Sequence, residues 1–543
     1  MNKNFNIKPI AVVLSIMVIL VSNLKSVAQI SLQGQLRTRT EVRDGLGNLV
    51  KNGEKSAAFT SQRTRLNFGY KWDRLLFGIA VQDVRVWGQD ASSISNADGS
   101  KFMLHEGWAE VTLANKADTT VKFKLLDLLS LKIGRQELAY DDARLIGNLD
   151  WLQQARRHDM VLLKTVHKGW QVDLGLAFNQ NNDNFNNTGT GYLPANINPT
   201  VWNSNGVLVP TPAGMIPLIN ANNKNYSAKP GAGVGLAFAN PPSTNGATQD
   251  YKSFKTLYVS KKFKQTKLSA LFFQDDFSAY KLDSVGTDAT GKVYGRRYIS
   301  AGLTDTYDYN QARSRSTYGL MLNHTLGNAS SFGKVAIQAA YYAQKGDDRE
   351  GNKMDAYHWT ASATYQKDKY SLTLGYDVLS GNDGASALNN YKASSGKNQR
   401  FDPLYGTPHK HWGYMDYFYV GTNSPAGGLN NGYLKLKYTG NTLTIGADVH
   451  TFALNQATVK SGTTLLDKNL GTEIDFAVNY NMNKFTNLEL GYSIMKATES
   501  MAYAKGQVNA TNPETAFNRS GSWLYLMVNI KPDFFYTKPV AIK

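Results

Sequence analysis

The sequence contains no cysteine, which excludes a disulfide framework and thiol chemistry. It also lacks a long apolar run. The stretch from Pro9 to Val21 is too short to cross a hydrocarbon layer of ~30 Å as a helix, and no later stretch is longer. A helical membrane fold is therefore excluded, although a mean hydropathy of -0.38 would by itself suit a soluble protein.

The first 28 residues follow the order of a secretory signal peptide. Lys3 and Lys8 precede the apolar run, and Ser26, Val27 and Ala28 form a small-residue cleavage site. We therefore predict a signal peptide over residues 1–28 and a mature chain over residues 29–543.

The charge is strongly basic. The formal net charge is +17, and it falls to +14 without the leader, which carries three lysines and no acids. An exported chain does not meet nucleic acid in its normal work. We therefore expect outer-membrane lipid, including lipopolysaccharide, and an anionic solute as partners.

Apolar and polar residues alternate over short segments throughout the chain. In the first segment Ile30, Leu36 and Val42 fall on one face, while Arg37 and Glu41 fall on the other. About eighteen such segments occur, an even number as single-chain bacterial barrels prefer. The pattern predicts an all-β fold, a transmembrane antiparallel up-and-down β-barrel in the bacterial outer membrane, because all backbone groups must pair within lipid.

The connections alternate between short turns and long loops. The long loops are residues 180–252, 277–313 and 381–431, and we expect them outside the cell. Both termini are then periplasmic. We also expect a monomer that the barrel-assembly machinery inserts.

Arginine is concentrated in the first third of the chain. Arg37 with Arg39, and Arg63 with Arg65, lie at alternate positions on the expected lumen faces of two neighbouring strands. Guanidinium groups bind carboxylates through two parallel hydrogen bonds, so such a wall would select anions. The alternative is that these charges only balance inward acids such as Glu41, Glu106 and Glu110.

Residues suited to catalysis or metal binding do not form a recognisable set. His409 and His411 share one face of an extended segment, but no third ligand has a recognisable spacing. His105 and His324 have no identifiable catalytic partner. We predict no enzymatic activity, no cofactor and no metal site.

Several segments resemble the alginate export family of outer-membrane barrels. "SLQGQLRTRTEVRDG" (31–45), "SQRTRLNFGY" (61–70) and "VQDVRVWG" (81–88) are similar to its first three strands, and the charged segment from Gly134 to Asp159 is where the likeness becomes apparent. "FDPLYGTPHKHWGYMDYF" (401–418) and "LGTEIDFAVNY" (470–480) resemble the branch of the family in Bacteroidetes-type bacteria.

The resemblance implies a monomeric 18-stranded barrel whose arginine-lined pore passes an anionic uronate polysaccharide outward. It implies a selectivity lining of arginines and three acidic partners that hold their rotamers. The arginines are Arg37, Arg39, Arg63, Arg65, Arg85, Arg135, Arg144 and Arg156, and the acids are Asp83, Glu106 and Glu137.

Two other functions fit the same pattern. The first is a porin that takes up small anionic nutrients such as sugar acids. The second is a surface receptor or adhesin whose long loops bind a partner while the barrel anchors them. The long insertions leave the choice of solute open, because loops rather than the barrel set specificity.

We predict that the mature protein starts at Gln29, because cleavage follows the small-residue site. N-terminal sequencing of protein from an outer-membrane fraction should begin with Gln-Ile-Ser-Leu. Recovery of Met1 from that fraction would contradict the leader.

Overall fold

The computed structural model describes most of the chain. The described residues are 28–88, 102–117, 125–179, 251–278, 312–328, 332–348, 352–384, 396–420, 424–457, 459–461, 464–509 and 511–537, together with short strands between residues 200 and 299. The expected leader, apart from Ala28, lies outside them, as does most of the loops 180–252 and 277–313.

Eighteen long antiparallel strands form a closed barrel, as predicted. They are β1 Gln29–Asp44, β2 Ala57–Trp72, β3 Leu75–Val86, β4 Phe102–Asn115, β5 Leu128–Gln136, β6 His158–His167, β7 Trp170–Phe178, β8 Ser253–Phe263, β9 Thr266–Ser278, β10 Ala312–Asn328, β11 Gly333–Asp347, β12 Lys353–Lys367, β13 Tyr370–Leu379, β14 Leu429–Thr439, β15 Leu443–Ala453, β16 Asn469–Asn481, β17 Thr486–Ala497 and β18 Ser520–Ile530.

The barrel closes where β18 pairs with β1, from Leu36 opposite Ile530 to Asp44 opposite Ser522. A short strand, β19 (Asp533–Tyr536), continues this pairing along the first residues of β1. Every other long strand pairs with its neighbours in sequence. Among the strands that the structure describes, none of these eighteen is therefore left with an unpaired edge, as a hydrocarbon environment requires.

Alternation along the strands separates the two faces of the wall. Leu374 on β13 is 65 % exposed and Leu320 on β10 is 64 % exposed, whereas Asp377 and Glu473 are fully buried. Apolar side chains therefore face outward and charged side chains face the interior, as the period of two predicts.

The connections have different lengths at the two ends of the barrel. At the end that we call the short-turn end, two-residue connections follow β2, β6, β8 and β12. Asp73, Lys168, Lys264 and Asp368 in these turns have φ between 47° and 50°, as tight hairpin turns require. We call the other end the long-loop end.

Two connections at the long-loop end fold into the barrel. We call residues 137–157, between β5 and β6, the first inner loop and residues 396–420, between β13 and β14, the second inner loop. Leu404, Trp412 and Tyr417 in the second inner loop are almost completely buried, and Ile146 bridges to Tyr405 between the two loops. The described part of the predicted loop 381–431 therefore fills the barrel interior, because its aromatic side chains pack against the inward faces of the strands. That this end of the barrel lies outside the cell stays a prediction.

The remaining secondary structure is short. Helix α1 spans Glu499–Ala504, and 3-10 turns span Pro408–Lys410 and Glu514–Ala516. Other short strands are Thr200–Trp202, Leu208–Pro210, Met215–Pro217, Lys281–Thr287, Val293–Ile299, Val459–Ser461 and Thr464–Leu465. Within the described part of the chain, no helix has the length and apolar character needed to cross a membrane.

We predict that the two ends of the barrel label differently. Lys55 lies in the connection after β1 and Asn441 in the short turn after β14, and both are exposed. In intact cells a membrane-impermeant maleimide should label Lys55→Cys but not Asn441→Cys, and after lysis it should label both. Because the chain has no natural cysteine, the reverse pattern would show that the orientation is inverted.

Candidate functional site

The arginines of β1 and β2 hold the first inner loop by its backbone. Arg37 donates hydrogen bonds to the carbonyl oxygens of Asp150 at 2.8 Å and Leu152 at 3.1 Å. Arg39 donates to the carbonyl oxygen of Trp151 at 2.9 Å. These arginines therefore satisfy carbonyl groups that would otherwise lie unpaired inside the barrel.

Asp150 supplies the negative charge at this contact. Its carboxylate lies 2.8 Å from Arg63, 3.3 Å from Arg37 and 3.9 Å from Arg65. Burial acts to raise the pKa of Asp150, but its hydrogen bond from Arg63 and the surrounding arginine charges lower it below the usual value. The predicted cationic wall exists, but most of it binds the protein's own loop.

Three of the predicted lining residues lie on the opposite face of the wall. On β3, Gln82 is buried and pairs with the inward Arg65. Because side chains alternate along a strand, Asp83 and the residue two positions later, Arg85, point outward. On β5, Arg135 has the parity of Ile133, which is 49 % exposed. Placing Asp83, Arg85 and Arg135 in the pore was wrong, because these strands carry charges on both faces near the long-loop end.

The other predicted residues lie inside the barrel. Arg144 is buried and binds Asp142 at 3.2 Å and Asp377 at 2.8 Å. Burial acts to raise the pKa of Asp142, but Arg144 lowers it to about 2. Arg156 donates to the carbonyl oxygen of Gly406 at 2.7 Å. Arg144 and Arg156 thus connect the first inner loop to the wall and to the second inner loop.

Glu106 and Glu137 belong to a polar group beside Arg65. Glu137 lies 2.9 Å from the ring nitrogen of His105, and its amide donates to Glu106 at 3.0 Å. One side-chain ligand atom from each of His105, Glu106 and Glu137 lies within 4.8 Å of the other two, close enough for the three to hold a metal ion. Glu137 also accepts from Asn148 at 2.8 Å and faces Arg65 at 3.8 Å, so its charge is already balanced by these protein groups.

The sequence analysis did not predict a second cluster of buried charges. Arg315 on β10 binds Asp275 on β9 at 2.5 Å and Asp402 of the second inner loop at 2.9 Å. Asp275 has the same strand parity as the buried Phe273, a signal that could have placed it inside. Its contact with Asp402 could not be foreseen, since it depends on the path of the inner loop.

Flat side chains stack across the middle of the barrel. The Arg39 guanidinium lies 4.4 Å from the centre of the Trp151 ring. Trp151 stacks on His409 with 4.2 Å between ring centres, and His409 stacks on Tyr414 at 5.1 Å. His409 is held 2.7 Å from Asp416, and His411 contacts the carbonyl oxygen of Asp142 at 3.2 Å. We call Arg39, Trp151, His409 and Tyr414 the interior stack, which ties the two inner loops together.

A cavity of about 990 Å³ extends from the interior stack to the short-turn end. Its lining contains six lysine or arginine side chains and three acids, together with several amides. The cations are Arg37, Lys410, Lys435, Lys437, Lys484 and Lys531, and the acids are Asp150, Asp448 and Glu489. Only Arg37 of the predicted arginine lining reaches it; most of the cavity's cations are lysines.

Comparisons with known proteins agree with this architecture. The crystal structure of the outer membrane protein OpdK from Pseudomonas aeruginosa superimposes with a TM-score of 0.50 at 10 % identity, covering 93 % of this chain and 99 % of that chain. OccAB4 from Acinetobacter baumannii gives a TM-score of 0.50 at 11 % identity, covering 93 % and 98 %. At such low identity the likeness shows the fold alone.

The closed barrel, with an apolar outer face and a charged interior, defines an outer-membrane β-barrel protein. The model of the alginate export family matches residues 28–179, which confirms the resemblance over those residues. No curated protein was found to match the chain. The assignment to the Bacteroidetes-type branch stays a prediction.

We predict that the arginines control the local stability of the first inner loop. Replacing Arg37 and Arg63 by Ser removes hydrogen bonds of charged groups, worth about 1.5–3 kcal/mol each. Hydrogen exchange of the peptide 148–157 should become faster, while the strands should stay protected. Arg85→Ser removes an arginine from the outer face and is the matched control. Equal exchange in the double variant and the control would contradict the role of the arginines.

Proposed function

We propose that this protein is an anion-preferring outer-membrane channel that exports an acidic, uronate-type polysaccharide. The observation that carries the proposal is the cavity of about 990 Å³ at the short-turn end. Its lining joins a surplus of cations to aromatic and amide groups, which are the groups that bind acidic sugars.

The cationic surplus favours anions over cations. Ammonium and guanidinium groups attract carboxylates, and charges are screened less between low-dielectric walls than in bulk water. Lys435 is partly balanced by Asp448 at 2.7 Å. By contrast, Lys410, Lys437 and Lys484 have no ion-pair partner within 4 Å among the described residues.

The aromatic end of the cavity fits a saccharide. Trp151 and Tyr414 line the cavity. In the interior stack Trp151 lies between Arg39 and His409, whereas Tyr414 has one ring face on His409. Aromatic rings offer an apolar surface with a polar edge, which suits the apolar faces and hydroxyl groups of a sugar ring. Asn479, Asn487 and Asn529 add amide donors and acceptors along the same cavity.

The position of the cavity favours export. It reaches Asn483, Lys484 and Phe485 in the turn at the short-turn end, which we assign to the periplasm. A polymer arriving from inside the cell envelope would meet the cationic surface before it reaches the inner loops. In this proposal the protein is a monomer with no catalytic activity, inserted by the barrel-assembly machinery.

The filled interior favours a second candidate, a porin for small anionic nutrients such as sugar acids. Both inner loops pack between opposite walls, as the contact of Arg144 with Asp377 and that of Asp402 with Arg315 illustrate. A polymer would have to displace these loops, whereas a single sugar acid needs a smaller opening.

We predict that the lysines of the cavity set the anion preference. The triple variant Lys410→Gln, Lys437→Gln, Lys484→Gln leaves three cations against the three acids of the lining. In planar bilayers, its reversal potential under a salt gradient should lose the anion preference of the wild type. Block by uronate oligomers added on the short-turn side should weaken by roughly tenfold, since each confined charge contributes to binding.

The matched control replaces Lys168, Lys264 and Lys369, three exposed lysines at short turns, by Gln. It should keep most of the anion preference, because these charges are screened by bulk water. Unchanged selectivity and block in the cavity variant would contradict the proposal. Block by uronate monomers but not by oligomers would favour the small-solute porin.

A further inference from the structure

Two arginines face outward near the long-loop end of the first strands, and a third, Arg157, lies beside them. Arg85 on β3 binds Asp83, with 2.7 Å between Nε and Oδ2. Arg135 on β5 binds Asp159 on β6 through two hydrogen bonds of 2.8 Å each. Arg157 comes just before β6 and lies beside this pair, since the charges of Arg135 and Asp159 both act on it. These residues are not part of the cavity described above.

Among the residues that the structure describes, no carboxylate lies within 4 Å of Arg157, and the acid whose charge acts on it is Asp159. The hydrogen-bond acceptor found for its guanidinium is the sulfur of Met103, at 3.5 Å. Arg157 is half-buried, and burial followed by the charge of Arg135 lowers its pKa. Two guanidinium groups thus share the single carboxylate of Asp159. A half-buried cation of this kind is stabilised by an additional anion.

The surroundings show where that anion would come from. Phe102, Leu104 and Ile133 lie on the same outer face and are 65 %, 45 % and 49 % exposed. They belong to the apolar surface that faces lipid. Arg135 also donates to the carbonyl oxygen of Leu104 at 3.4 Å. This contact places the guanidinium groups at the edge of the apolar surface nearest the long-loop end. Headgroups of the outer leaflet lie at this level when the long loops are outside the cell.

We propose that Arg157 and Arg135 bind a phosphate group of lipopolysaccharide on the outer face of the barrel. The planar guanidinium groups match phosphate oxygens in pairs, and the exposed Phe102 and Leu104 pack against the acyl chains below. Basic residues beside an apolar surface bind anionic lipid headgroups in this way. The site is separate from the solute cavity and does not depend on the proposed channel function.

The test uses the full-length mature protein in a neutral detergent and measures its affinity for purified lipopolysaccharide by native mass spectrometry. Arg157→Gln should weaken binding roughly tenfold, as expected for loss of a charge-assisted hydrogen bond. Arg135→Gln should weaken it as well. Lys264→Gln, which removes one exposed cation at the short-turn end, should leave the affinity unchanged. Lipopolysaccharide from which the lipid A phosphates have been removed should bind the wild type and Arg157→Gln with equally low affinity.

Three results would overturn the proposal. The first is equal affinity of the wild type and both arginine variants, with folding verified by heat-modifiable migration on gels. The second is an equal loss in Lys264→Gln, which would indicate attraction by net charge alone. The third is unchanged binding of the dephosphorylated glycolipid, which would remove phosphate as the ligand group. If Arg157→Gln does not fold, Arg135→Gln decides the question by the same comparison.

Discussion

The continuous ladder of backbone hydrogen bonds is the constraint on which this structure depends. Lipid offers no partner for an amide or a carbonyl group, so each strand must pair on both edges. The pairing of β18 with β1, between residues 478 to 494 positions apart in sequence, completes the ring and fixes the register of both strands. Because the side-chain period along a strand is two, register decides which charges enter the barrel. All the contacts of the interior follow from that choice.

A second constraint applies to the interior, since buried charges are costly unless they are paired. In this barrel the partners of the buried charges are groups of the same chain, many of them in the two inner loops. Arg37 and Arg39 bind carbonyl groups of the first inner loop, and Arg315 joins Asp275 of the wall to Asp402 of the second. The interior stack links the two inner loops to each other. The inner loops and the charged wall therefore stabilise each other. A change in one alters the contacts of the other.

Because of these contacts, the arginine-rich strands have a different role from the one expected. As a bare lining they would form an anion path along the whole barrel. In the structure the open cationic surface is confined to the cavity at the short-turn end, where most of the cations are lysines such as Lys437 and Lys484. Under the proposed function, a solute would have to pass beside the inner loops or displace them. The hydrogen bonds of Arg37 and Arg63 to the first inner loop are the interactions that oppose such a displacement.

Prediction from the sequence succeeded where a periodic pattern sets the structure. Alternation identified the eighteen strands, and on β1 it placed Arg37 and Glu41 on the face opposite to Val42, as the structure has them. The same reasoning failed for Asp83, Arg85 and Arg135. It assumed that charged residues point inward, whereas near the end of a strand the outer face leaves the hydrocarbon and tolerates charge.

The sequence by itself thus determined the fold, the membrane location and the two faces of most strands, because these follow from local alternation and backbone pairing. The tertiary structure alone decided what the inward charges contact. The distance in sequence from Arg37 to Asp150, or from Arg315 to Asp402, carries no information about the contact. A long loop can fold into a barrel or away from it, and only packing against the opposite wall, as for Trp412 and Tyr417, distinguishes the two.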